Sequence, residues 1–114
     1  LDDVLTITTT QCHFTTELRI YSSSTHDGYA IGKLADGNVI KSLGFNAGNK
    51  VDTLNVYGST DGTNWTLVSG VSITSTSYND YTVDFGDTNY TSFKLDVAGG
   101  NQIRVKSLTL TYAE

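Results

Sequence analysis

The residues able to do acid–base, nucleophilic or metal chemistry are few in this chain and poorly spaced for it. Glu17 and Glu114 are its only glutamates, and its ten aspartates fall mostly in turns. Asp is favoured there because its carboxylate accepts hydrogen bonds from nearby backbone amides. Hydrolysis of a glycosidic bond needs two carboxylates roughly 5 to 10 Å apart, one with a raised pKa. Nothing in the spacing singles out such a pair. His13 and His26 are the only histidines, and no nucleophile-elbow motif presents a serine to either. Cys12 is alone, which excludes an intrachain disulfide and a cysteine-based zinc site and leaves a structural thiol. No glycine-rich phosphate loop leads into a helix. The residues predict a protein that is not an enzyme.

Binding chemistry is better supplied. A pyranose presents an apolar C–H side to a flat ring and hydroxyls to planar hydrogen-bonding groups, and Tyr offers both an apolar body and a polar tip. The chain has seven Tyr, four Phe and one Trp. Tyr21 and Tyr57 are expected to face outward by alternation, Tyr81 and Tyr112 to face the core. Tyr29, Tyr78 and Tyr90 lie in or beside loops and are the expected ligand contacts, together with His26 and Asn101. Asp27, Asn46, Asn49, Asn89 and Gln102 add further donors and acceptors. Arg19, Arg104 and Lys106 offer pairing to a carboxylated sugar, or are solvated charges paired with Asp52 or Asp96. No organic cofactor is expected. A structural calcium, which takes six to eight oxygen ligands, has candidate donors in Asp2–Asp3 and Asp84–Asp87, although no spacing approaches an EF-hand.

Composition sets the frame around these groups. The chain has 114 residues and a mass of 12.3 kDa, with a net charge of −5 and a pI near 4.7. That balance lacks the clustered Lys and Arg that replace phosphate counterions, so nucleic acid is not an expected partner. No apolar run approaches the roughly 20 residues of a membrane span. The N-terminus shows no charged and apolar leader and the chain has no Met, so it is expected to be cut from a longer secreted or cell-surface precursor. Ser and Thr make up 29 residues against zero Pro, a mixture that favours strands and turns.

The elements that must position the binding groups read as seven to nine short alternating strands separated by Gly, Asn, Asp and Ser clusters. Val39–Phe45 is a strand ended by the turn Asn46–Lys50. Val51–Gly58 alternates, with Leu54 and Val56 inward and Thr53, Asn55 and Tyr57 outward. Ser59–Gly62 carries the Asp-Gly signal of a tight hairpin. Ser92–Val97 puts Phe93, Leu95 and Val97 on one face. Ile103 and Val105 share one phase and Leu108, Leu110 and Tyr112 the other, which places a β-bulge at Lys106–Ser107. Trp65 and Leu67 share a face, and both are expected to pack inward. The pattern predicts an all-β fold, an antiparallel β-sandwich of one domain over residues 1–114, monomeric and with at most one helical turn.

The stretch LNVYGSTDGTNWTLV (Leu54 to Val68) resembles the strand–turn–strand of discoidin-like, or factor 5/8 type C, domains. SFKLDVAGGNQIRVKSLTLTY (Ser92 to Tyr112) is similar to their closing hairpin. The resemblance covers about half the chain and implies a galactose-binding-like jelly roll, as in bacterial carbohydrate-binding modules. It further implies a polysaccharide or oligosaccharide ligand, neighbouring domains of the parent protein as partners, and a Trp at position 65 that closes the hairpin against the sandwich. The alternative is a structural or adhesive spacer with no sugar site.

Overall fold

The computed structural model describes the backbone of residues 5–10, 12–14, 18–20, 29–99 and 103–113, and the side chains of residues 29–99 and 103–113. Ten strands form, in chain order β1 (Leu5–Thr10), β2 (Cys12–Phe14), β3 (Leu18–Ile20), β4 (Tyr29–Leu34), β5 (Val39–Gly48), β6 (Asp52–Ser59), β7 (Thr66–Ile73), β8 (Asn79–Asp84), β9 (Ser92–Val97) and β10 (Ile103–Ala113). They make two five-stranded antiparallel sheets, ordered β1-β4-β9-β6-β7 and β2-β3-β10-β5-β8. No helix occurs among the described residues. The fold is the antiparallel β-sandwich that alternation predicts.

Each sheet turns one set of alternate side chains inward, because successive residues of a strand point to opposite faces. β9 shows this most clearly: Phe93, Leu95 and Val97 are buried while Lys94 and Asp96 are half-exposed. In β6, Leu54 and Val56 are buried and Asn55 and Tyr57 point outward. Ile40, Leu43, Phe45 and Ala47 of β5 meet them from the other sheet, with Ile103 and Val105 of β10. These side chains form one core between the layers.

β4 lies against β9 with Gly32 opposite Phe93. A Cβ on Gly32 would overlap the Phe93 ring, so the ring occupies the space a side chain would need. That close approach seats Phe93, the largest fully buried side chain among the described residues. It also brings Tyr29 and Lys94 onto one outer surface.

Three local expectations change and two hold. β5 continues through Asn46 to Gly48, because Asn46 and Ala47 pair with Asp80 and Asn79 of β8 on one side while Asn46, Ala47 and Gly48 pair with β10 on the other. The Ser59–Gly62 segment is a wider loop from Ser59 to Thr66 with Gly62 at φ 79°, and not a two-residue hairpin. Tyr81 does reach the core edge, stacked on Phe45 with centroids 5.7 Å apart. Tyr112 does not: it is 42% exposed near the end of β10, just after the register shift between Thr111 and Tyr112. The expected bulge in β10 is present, as a register shift between Val105 and Ser107.

Gly32→Ala should overpack Phe93 and lower stability by about 1 to 3 kcal/mol. A thermal melt should show a drop of roughly 4 to 8 °C per kcal/mol at about this length, with partial recovery in the Gly32→Ala, Phe93→Leu double variant. An unchanged melting temperature would contradict the packing described.

Candidate functional site

The first sheet carries a polar and aromatic outer face. Pairing places Tyr57 of β6 directly opposite Lys94 of β9, and Asn55 opposite Asp96. On the other side of β9, Tyr29 of β4 lies opposite Asp96. Leu67 of β7 pairs with Tyr57 and extends the surface. Four strands therefore deliver side chains into the same area, at spacings set by the roughly 4.8 Å between neighbouring strands.

Lys94 is the centre of it. Its Nζ lies 4.8 Å from the ring centroid of Tyr57, 5.3 Å from Trp65 and 5.8 Å from Tyr29. Each distance falls within the range where a ring quadrupole attracts a cation. The ammonium thus holds three rings around a single point on an otherwise flat sheet. Beside it, Asn55 donates to Asp96 at 3.0 Å. Burial raises the Tyr57 hydroxyl pKa above its usual range, and the charge of Asp96 and a hydrogen bond to it raise it further. Tyr57 therefore stays a neutral donor at physiological pH, with its ring orientation tied to Asp96 and Asn55.

Trp65 is positioned by the loop that precedes it. The Ser59 Oγ donates to the Asp61 carboxylate at 2.9 Å and accepts from the amides of Asp61 and Gly62. The Asp61 carboxylate also accepts from the amides of Thr63 and Asn64, each at 2.8 Å, and from the Asn64 side chain at 2.7 Å. These bonds push the Asp61 carboxyl far below the usual carboxylate range. The Asp-Gly segment is therefore a rigid bracket for the residue that follows it.

This reverses the expectation for Trp65. Leu67 is 54% exposed, and Trp65 packs on the outer face under Lys94 rather than into the core. The two residues do share a face, as alternation requires, but it is the solvent face. The phase is set by pairing with β6, where a register shift falls between Val56 and Tyr57.

Of the residues expected to contact a ligand, the described ones do not gather in one place. Tyr29 lies on this face. Tyr78 lies beside the second sheet, with Lys106 Nζ 4.0 Å above its ring. Tyr90 is half-buried, edge-on to Phe85 at 5.8 Å, and its ring fills the space over Gly58. His26 and Asn101, with Asp27 and Gln102, lie outside the described residues. Asn46 donates to Asp80 of β8 at 3.0 Å. Asn49 adopts φ 84° in a turn, and Asn89 is exposed. Asp52 accepts from the amides of Thr53 and Gly99, and Asp96 from Asn55, so each has partners other than Arg104 or Lys106. The side chain of Arg19 is outside the described residues, as are Asp2 and Asp3. Asp84 accepts from the amide of Gly86 in the turn after β8. Among the described residues no group of three or more His, Cys, Asp or Glu side chains is placed to hold a metal ion.

No protein-family model and no curated protein matches this chain. Solved structures do. A pectin-binding carbohydrate-binding module superposes with a TM-score of 0.70 at 14% identity, covering 95% of this chain and 90% of its own. A lysine-to-alanine variant of a family 29 carbohydrate-binding module gives 0.73 at 19% identity, covering 97% and 84%. Another variant of that module, complexed with mannohexaose, gives 0.70 at 18%, covering 95% and 81%. The fold is thus the jelly-roll sandwich found in carbohydrate-binding modules, consistent with the galactose-binding-like fold that the two sequence motifs imply.

The depressed Asp61 pKa has a definite sign. The bracket prefers the carboxylate, so its stabilising effect is present above the ordinary value of 3.8 and is lost as pH falls towards the folded-state value below it. Asp61→Asn should therefore melt below the parent at pH 7, and the gap should narrow as pH is lowered past about 4. A gap independent of pH would show that the carboxylate charge has no part in the bracket.

Proposed function

We propose that this chain is a non-catalytic carbohydrate-binding module of a secreted or cell-surface bacterial protein, holding neighbouring domains of that protein against a glycan. One observation carries the reading: Tyr29, Tyr57 and Trp65 surround Lys94 on an outer sheet face beside the Asn55–Asp96 pair. The rings offer apolar faces to the C–H side of sugar rings. Lys94 donates to hydroxyl or carboxylate oxygens, and Asp96 and Asn55 supply acceptors and donors for the remaining hydroxyls. The side chains are held in place by one another and by the Asp61 loop, so little ordering remains to oppose binding. The similar folds named for pectin and mannohexaose support a glycan as the ligand class. Among the described residues no constellation on this face suits bond cleavage, since they present one carboxylate there, already engaged by Asn55.

Trp65→Ala separates a platform from a core residue. Binding, read by affinity electrophoresis in gels containing glucan, mannan, xylan or pectin, should weaken at least about tenfold, equivalent to about 1.4 kcal/mol. Thermal stability should fall by under about 1 kcal/mol, a shift below roughly 8 °C. Retained binding with a large fall in melting temperature would return Trp65 to a structural role. If the parent protein is retarded by none of the four polysaccharides, the spacer reading replaces this one.

A further inference from the structure

The second sheet has an outer face of different chemistry. Gly44 lies in the middle of β5, opposite Thr82 of β8 on one side and Thr109 of β10 on the other. Around it, Ser42, Thr82, Ser107, Thr109 and Thr111 line a trough of about 360 Å³, with Asp80 at one end. Asp80 accepts from Asn46 at 3.0 Å, which leaves hydroxyls as the main polar groups of a lining that also includes Phe45 and Tyr81.

Neither space nor backbone geometry requires the glycine. A Cβ there would meet Thr109 Cβ at 3.6 Å and the Thr109 and Tyr81 carbonyls at 3.7 Å, ordinary contact distances. Gly44 is not among the positive-φ glycines, and both ladders run in register through it, so it marks no bulge. Glycine inside a strand weakens the strand, and it often marks a place where a ligand or another backbone approaches closely. Its effect here is the trough itself. The volume lies within the range of small-molecule sites.

We propose that this trough is a second binding surface, on the sheet opposite the aromatic face, for a segment of uncharged polysaccharide. The ligand class rests on the glycan reading above; the site rests on Gly44 and its hydroxyl lining. Hydroxyls donate and accept, as a polyol's do. A peptide is less well matched, because β5 is paired on both sides and offers no free backbone edge for strand addition. A polyanion is disfavoured by Asp80 and by the net charge of −5. Two faces would let one module bridge adjacent chains of a polysaccharide.

The experiment is an amide chemical-shift titration with mannohexaose, cellohexaose and xylohexaose, each with trigalacturonate as the charged control. At least one neutral oligosaccharide should perturb Gly44, Thr82 and Thr109, and should still do so in a Tyr57→Ala, Trp65→Ala variant. Gly44→Thr should fill the trough and abolish that perturbation while its melting temperature holds or rises. Gly44→Ala, a smaller change, should weaken binding there several-fold and guards against misfolding of the first variant. Perturbation at Tyr57 and Trp65 without any at Gly44, or perturbation at Gly44 that survives both substitutions, would overturn the proposal and leave the aromatic face standing. Perturbation at Gly44 alone would support the trough and remove the aromatic face. Silence at both faces would overturn both, and a response confined to trigalacturonate would overturn the uncharged class.

Discussion

The antiparallel pairing of β9 with β4 and β6 is the constraint on which the rest depends. β9 is central in its sheet, and its inner residues Phe93, Leu95 and Val97 are all buried. Burying side chains of this size contributes roughly 1.5 to 3 kcal/mol each, so the phase of β9 is not free to slip. A one-residue slip would send Lys94 and Asp96 into the core. The charged residues are outside because the apolar ones are held inside, and the neighbouring strands inherit that phase through their hydrogen bonds.

From that constraint the outer face follows almost row by row. Lys94 must lie beside Tyr57, and Asp96 between Tyr29 and Asn55, because those residues are paired across the ladder. The cation–ring contacts then add about 0.5 to 1 kcal/mol each at a partly exposed site, too little to direct folding but enough to fix side-chain orientation. Core burial decides where the backbone goes, and the weaker contacts decide how the face is presented. Trp65 stands slightly apart from this logic. It precedes β7, and its place depends on the Ser59–Asp61 bracket at the end of β6.

The two outer faces are built in opposite ways. One adds bulk, with three rings gathered on a single ammonium. The other removes it, with a glycine in a central strand and hydroxyls on either side. Both are built on the sheets, except for Trp65, which the hydrogen-bonded Ser59–Asp61 loop holds in place.

Much of this was legible along the chain, because alternation is a local property. Leu54 and Val56 against Asn55 and Tyr57, Phe93 and Leu95 against Lys94, and the bulge before Ser107 all follow from period two and the apolar residues that break it. The all-β sandwich follows from the same signal repeated between turn residues. The candidate site is legible only in part: loop position marks Tyr29 as a contact, and alternation marks Tyr57 as outward without its neighbours. Lys94, Asp96 and Asn55 are ordinary surface residues until strand order brings them together across more than 30 positions of sequence. Trp65 shows the limit most plainly. Its strand-mate Leu67 looks apolar enough to face inward, yet β7 is an edge strand whose phase comes from a shifted pairing with β6. Period two tells which residues share a face, and the sequence alone determined that. Which face meets the core is decided by partners far away in the chain, and only the tertiary structure could decide it.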